Sequence, residues 1–207
     1  MTDSTQLIRW AQRLQGTAQT GLTYAQDTYD RGRYEELRRI AAEMTEAELG
    51  VEAAAFEKIF SLEDGYATPK IDVRGVAFRD NSILLVKERS DGLWALPGGW
   101  ADIGDTAANA AVREMWEESG FTAKAVKLLA LYDRNAQGHP PIPYHAYKAF
   151  FLCEITGGEA AVSDETDAVA FFKRDNLPPL SIERVTDAQL QRFFDHARDA
   201  LLPTDFD

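Results

Sequence analysis

A chain of 207 residues, 45% of them hydrophobic and 27% charged, has the balance of a folded globular protein and room for one ordinary domain plus an extension. Its net charge of -12 argues against a broad nucleic-acid footprint, which would need stripes of Lys and Arg along a phosphate backbone. The single Cys153 excludes an internal disulfide, and no run is apolar enough to span a membrane. In the segment AFFLCEI that cysteine reads as a small buried hydrophobe, and the opening MTDSTQ lacks a basic-then-apolar leader pattern, so the expected location is the cytoplasm.

Residues 4–62 read as helical. Ser4 can cap a first helix, in which Leu7, Ile8, Trp10, Ala11, Leu14 and Ala18 recur at helical spacing until Gly21 loosens the pattern. Tyr34, Leu37, Ile40, Ala41 and Met44 carry a second helix. Thr45-Glu46-Ala47-Glu48 resembles a start signal for a third, with Val51, Ala54, Ala55, Phe56, Ile59 and Phe60. Helices this short must bury their apolar stripes against something. Two coverings are open: the downstream domain, or a second copy in a homodimer. The turn-rich stretch from Glu63 to Pro69 sets the expected boundary between a helical domain, 1–66, and a larger one, 67–207.

From Ile71 the period changes to two, with Ile71, Val73, Gly75 and Ala77 alternating with Asp72, Arg74, Val76 and Phe78 in a strand. A turn at 79–81 leads to the paired strand Ser82 to Glu88, and a second turn at 89–92 to a short strand, Leu93 to Leu96. Pro97-Gly98-Gly99 then forms a loop, and Asp105/Thr106 caps a helix that closes on Gly120. On that helix Arg113, Glu117, Glu114 and Glu118 share an arc of about 140°, while Ala108, Ala111, Val112, Met115 and Trp116 fill another. The three glutamates repel one another unless a divalent cation with a taste for hard oxygen ligands, Mg²⁺ or Mn²⁺, sits among them. A solvated acidic face is the plain alternative.

Beyond the helix, Ala125 to Leu131 reads as a strand, and residues 137–144 as a stiff, proline-loaded loop. Either that loop is a rigid connection, or His139, Tyr144 and His145 help to line a substrate pocket. Tyr147 to Ile155 shows little alternation and reads as a central strand covered on both faces. A second acidic cluster, Ser163 to Asp167, precedes the strand Ala168 to Phe172, and Thr186 caps a final helix bearing Leu190, Phe193, Phe194, Ala197 and Leu201.

The spacing Gly99, five residues, Asp105, seven residues, then Arg113-Glu114-Met115-x-Glu117-Glu118-x-Gly120-Phe121 closely resembles the Nudix box. One position departs: the family's first glutamate is Asp105 here, one methylene shorter, which favours an outer-shell or water-mediated metal contact. The resemblance implies an α+β fold, a Nudix-type α/β/α sandwich with a mixed central sheet beside a small helical N-terminal domain. It implies Mg²⁺-dependent (or Mn²⁺-dependent) hydrolysis of a small-molecule nucleoside diphosphate linked to a moiety X. In this reading the Gly98 carbonyl, Glu114, Glu117 and Glu118 hold metal. Arg113 restrains the carboxylates, Glu114, Glu117 and Glu165 supply catalytic groups, and Asp164 and Asp167 stand close behind Glu165. Trp100, with His139, Tyr144 and His145, is the candidate substrate contact. The stretch from Ile8 to Met44 also resembles the N-terminal extension of the CDP-choline-pyrophosphatase-like subgroup, where the extension contributes to dimerisation. That likeness points to CDP-choline-like substrates first and ADP-ribose next. Nucleoside-triphosphate house-cleaning, RNA-end hydrolysis and a nucleotide-sensing module that has lost its chemistry remain as alternatives.

Overall fold

The computed structural model describes residues 4–207, with side chains from residue 6 onward, so the expected cap by the Ser4 side chain and the leader reading at residues 1–3 lie outside the described part. It forms two compact units, one reaching to Pro69 and taking in Pro141–His145, the other comprising Lys70–Pro140 and Ala146–Asp207.

In the first unit α1 (Ser4–Tyr24) and α2 (Thr28–Leu49) pack as a pair, burying Ile8, Ala11 and Ala18 of one and Ala41 and Ala42 of the other. Helix α1 passes straight through Gly21, where the helical pattern was expected to loosen. The Tyr34 ring occupies the space that a Cβ there would need, at 2.3 Å, so close packing explains this glycine. The break comes after Tyr24, and the Asp27 side chain caps α2 by accepting from the Asp30 N–H at 2.8 Å. Helix α2 then runs unbroken through Thr45–Glu48, correcting the start signal read there: Thr45 is buried, and its hydroxyl donates back to the Ala41 carbonyl at 2.8 Å. Helix α3 (Ala53–Ser61) folds Phe56 and Phe60 onto Ala42. The segment 141–145 is held to this unit by the Gln12 amide, which donates to the carbonyls of Ile142 (2.8 Å) and Tyr144 (2.9 Å). Among the described residues no helix is long and apolar enough to cross a membrane.

The second unit contains β1 (Lys70–Val76), β2 (Phe78–Arg79), β3 (Ser82–Glu88), β4 (Trp94–Ala95), β5 (Gly98–Trp100), α4 (Ala107–Ser119), β6 (Phe121–Asp133), β7 (Ala146–Gly158), β8 (Thr166–Lys173), α5 (Asp187–Arg198) and β9 (Asp205–Phe206). One sheet has the order β5-β1-β7-β6-β9, with β1/β7 and β6/β9 parallel and β5/β1 and β7/β6 antiparallel. In the other, β3 pairs with β2, β4 and β8. Successive residues on β7 point to opposite faces: Ala149 meets Val73, Ala110 and Ala111 on the α4 side, whereas Phe150 meets Leu190 and Phe193 on the α5 side. The result is the expected α/β/α sandwich with a mixed sheet, and β7 lies at the centre of its five-stranded sheet, as its lack of alternation foretold. Cys153 is buried against Met115 and Phe121, and burial pushes its thiol up to about 12, consistent with a packing role.

Two strands depart from the sequence reading. Gly98–Trp100, expected as a loop, is β5, with Asp72, Val73 and Arg74 opposite Trp100, Gly99 and Gly98. The short β9 was not foreseen, and side chains anchor it: Asp205 accepts from Arg192 through both oxygens (2.6 and 2.7 Å), from His196 Nε2 at 2.9 Å and from the Tyr132 hydroxyl at 3.4 Å. The Arg192 hydrogen bonds, with His196 after them, hold the Asp205 carboxyl down at about 2. A depressed carboxylate stabilises the fold at pH values above its unfolded pKa of 3.8 and loses that contribution as pH falls through about 2. Asp205→Asn is therefore expected to cost on the order of 2 kcal/mol in urea unfolding at pH 7, with the difference from wild type narrowing as pH falls towards 2.

Candidate active site

The second unit carries a cleft of about 590 Å³ between the face of α4 and the strands on which the glycine turn is built. Helix α4 is capped by the Thr106 hydroxyl, which accepts from the Asn109 N–H, and ends at Gly120, whose φ of 76° stops it in a left-handed turn. Its apolar face (Ala110, Ala111, Met115) is buried against the sheet, which turns Glu114, Glu117 and Arg113 to the cleft. Gly98 approaches this helix closely. Its φ is 147°, and a Cβ there would stand 2.0 Å from the Val73 carbonyl oxygen, so only glycine fits. Its N–H donates to Glu118 Oε2 at 2.9 Å. Gly99 also lies tight to the helix, since a Cβ there would meet the Glu114 carboxylate at 3.2–3.3 Å.

Arg113 gathers the carboxylates. Its Nη1 donates to Glu114 at 3.0 Å and Glu117 at 2.8 Å, its Nε to Asp105 at 3.3 Å, and its Nη2 pairs with Asp102 at 3.3 Å. Asp105 is thus an arginine partner here. Glu118 is 5% exposed, and burial pushes its carboxyl up to about 8, with Glu88 and Glu114 adding like charge against the opposing pulls of Arg74 and the Gly98 N–H. Burial raises Glu114 and Glu88 as well. Glu114, Glu117 and Glu118 open on one cleft, yet among the described residues no three His, Cys, Asp or Glu side chains converge on a single point. Arg113 holds oxygens of Glu114 and Glu117, and the Gly98 N–H holds one of Glu118. The donor set still suits a hard divalent cation: carboxylate oxygens, one of them on Glu118, whose burial leaves its charged form short of counter-charge.

The cleft brings together seven of the expected residues: Gly98, Trp100, Arg113, Glu114, Glu117, Glu118 and Glu165. Asp164 joins them, while Asp167 pairs with Arg89 at 2.9 Å. His139 does not line it. The ring is buried, with Nδ1 2.7 Å from the Ile182 carbonyl and Nε2 3.1 Å from the Gln189 amide, and burial lowers its pKa to about 4. The structure therefore places His139 in a buried hydrogen-bonded position away from this cleft and does not bring it to the other expected site residues. Tyr144 and His145 fall in the segment 141–145 of the first unit and are not residues of this cleft. Three lining residues escaped the sequence reading: Arg74, Glu88 and Arg184. Arg184 Nε pairs with Glu88 at 3.1 Å, and its Nη1 with Asp91 at 3.1 Å. The position of Glu88 at the end of β3, whose partner strand β4 leads into the glycine turn, was the available signal.

Residues 68–193 match the family model described as the NUDIX domain, and residues 5–60 match one described as a UDP-X-like, N-terminal oligomerisation domain. The chain is 45% identical over 203 residues to the Bacillus subtilis protein YjhB, covering 98% of both chains. The crystal structure of an ADP-ribose pyrophosphatase from Streptococcus suis 89-1591 aligns with a TM-score of 0.63 at 38% identity, over 68% of this chain and all of that one. The crystal structure of a UDP-X diphosphatase aligns over the whole of both chains with a TM-score of 0.64 at 30% identity.

Proposed function

The chain belongs to the Nudix hydrolases, enzymes that act on pyrophosphate bonds, and from that premise we propose that it cleaves a nucleoside diphosphate linked to X into NMP and phospho-X. One observation carries the reading: the cleft faces six carboxyl groups with only three guanidinium groups, so a diphosphate enters only with cations. Likeness to ADP-ribose and UDP-X enzymes supports ADP-ribose and UDP-sugars as the first substrates to try, with CDP-choline beside them.

Glu114, Glu117 and Glu118, with the Gly98 carbonyl, are the groups proposed to hold Mg²⁺ or Mn²⁺. When bound, such a cation neutralises phosphate oxygens and acidifies water. The remaining steps fall to the chain. Arg113 keeps Glu114 and Glu117 together, a role that its 3.0 and 2.8 Å contacts support. Glu165 takes the proton of the attacking water, whose oxygen bonds to one phosphorus as the bridging P–O bond breaks. Trp100, 46% exposed on the cleft, offers its indole face to the base. The helical unit is proposed to join copies of the chain, in line with the description of the model it matches.

The test is a panel of ADP-ribose, UDP-glucose, CDP-choline and nucleoside triphosphates with Mg²⁺ or Mn²⁺, products being resolved by chromatography. The expected result is NMP plus phospho-X from at least one NDP-X. Turnover of triphosphates alone would replace this reading with house-cleaning, and tight binding without turnover would replace it with sensing.

A further inference from the structure

Beneath the glycine turn lies a buried ionic chain. Strands β1 and β7 run parallel with Asp72 opposite Lys148. Lys148 Nζ donates to Asp72 Oδ2 at 2.8 Å, and Arg74 grips the same carboxylate through Nε (2.7 Å) and Nη2 (3.2 Å). Lys148 is fully buried, and Arg74 and Asp72 nearly so. Two cations thus share one anion, and Arg134, also buried, adds a further positive charge nearby. Burial pulls Lys148 down to about 7, so its ammonium depends on Asp72 to remain charged. Stability alone does not account for this arrangement, because well-packed apolar residues in place of a buried ion cluster are often neutral or stabilising.

The chain leads to the cleft. The third Arg74 contact, Nη1 to the Leu96 carbonyl at 3.1 Å, together with the Gly75 N–H to the Pro97 carbonyl at 2.9 Å, fixes the turn that enters β5. The Gly98 backbone lies directly on Arg74: a Cβ at Gly98 would stand 2.8 Å from Arg74 Cα and 2.9 Å from its Cδ. Gly98 in turn gives its N–H to Glu118. Arg74 is also the buried cation whose charge bears on Glu88, Glu114 and Glu118 together.

We propose that Lys148 and Asp72 are positioning residues for pyrophosphate hydrolysis, clamping Arg74 so that it holds the Leu96–Gly98 turn and the carboxylate of Glu118 in the arrangement that accepts the catalytic cations. The proposal rests on the reading of the cleft given above. Lys148 touches neither the cleft nor substrate, so its effect travels through Asp72 and Arg74.

The test measures Mn²⁺ affinity of the full-length protein by the paramagnetic resonance of free Mn²⁺, alongside kcat and KM on the best NDP-X substrate. Lys148→Met removes the far charge and keeps the stem. Arg74→Lys keeps the charge but loses the two-pronged grip and the Leu96 contact. Both are expected to weaken Mn²⁺ binding by about tenfold or more and to lower kcat more than they change KM. A purely structural pair would lower the melting temperature and leave Mn²⁺ affinity as in wild type. That result in folded Lys148→Met overturns the proposal, and Arg74→Lys decides it by the same measure should Lys148→Met not fold. A wild-type protein that takes up no Mn²⁺ would instead strike down the reading of the cleft, and this proposal with it.

Discussion

Glu118→Gln is expected to make the metal-free protein more stable at pH 8 and nearly inactive. The folded pKa of Glu118 is raised to about 8 from an ordinary 4.5, so the native state binds a proton that the unfolded chain has released. Stability therefore falls as pH rises from 4.5 towards about 8, by on the order of a few kcal/mol. The amide removes this titration, and its oxygen can still accept the Gly98 N–H that now reaches Glu118 Oε2 at 2.9 Å. In thermal melts without metal, the variant should exceed wild type at pH 8 and match it more closely at pH 5. Added Mg²⁺ should raise the wild-type melting temperature, and more so at pH 8, because bound cation takes the place of the proton. The variant should lose most of that response. Loss of a ligand that helps stabilise transition-state charge is worth several kcal/mol, or roughly 10²- to 10³-fold in kcat. A Glu118→Gln protein with wild-type turnover would remove Glu118 from the metal site.

Gly98→Ala should be the most damaging single methyl group in the second unit. The new Cβ would fall 2.0 Å from the Val73 carbonyl oxygen and 2.8 Å from Arg74 Cα, both backbone atoms that cannot swing away. With φ at 147°, an alanine is strained there whatever the space. β5 must then leave β1, which gives up the pairing of residues 98–100 with 72–74 and the hydrogen bond to Glu118. A loss of about 3–5 kcal/mol is expected, at the far end of the range for point substitutions, with activity abolished. Gly99→Ala is the control. The atoms nearest its Cβ are those of the Glu114 carboxylate at 3.2–3.3 Å, a side-chain end that can give way, so this variant should fold and lose activity in part. Denaturant titration of the two variants separates the cases, and a Gly98→Ala protein as stable as wild type would refute the packing described for β5.

Much of this molecule could be read from its sequence, for reasons that differ by element. Helix α4 was legible because the spacing of Arg113, Glu114, Glu117 and Glu118 opposite Ala111 and Met115 states both a period and a chemistry. β7 was legible because a run such as AYKAFFLCEI suits a strand covered on both faces, although it hid a buried lysine. Lys148 looks like a solvated charge in sequence, and only its register opposite Asp72 makes it a buried ion. β5 was missed because glycines weaken the strand signal, while its pairing is dictated by a close approach that no local pattern encodes. His139 drew attention as a polar residue in a loop, yet its partners, Ile182 and Gln189, lie more than forty residues away in the chain. Long-range partnerships of this kind decide which polar groups are buried, and they leave no local mark.

The placement of 141–145 has a consequence for how this protein can be taken apart. Because that short stretch belongs with the helices, the polypeptide passes between the two units three times, at 69/70, 140/141 and 145/146. Excising the helices by a single cut would leave the Ile142 and Tyr144 carbonyls without the Gln12 amide that now serves them both. A shortened chain would therefore lose the tie that fixes this stretch, and fusions or truncations should retain a substitute donor for those two oxygens.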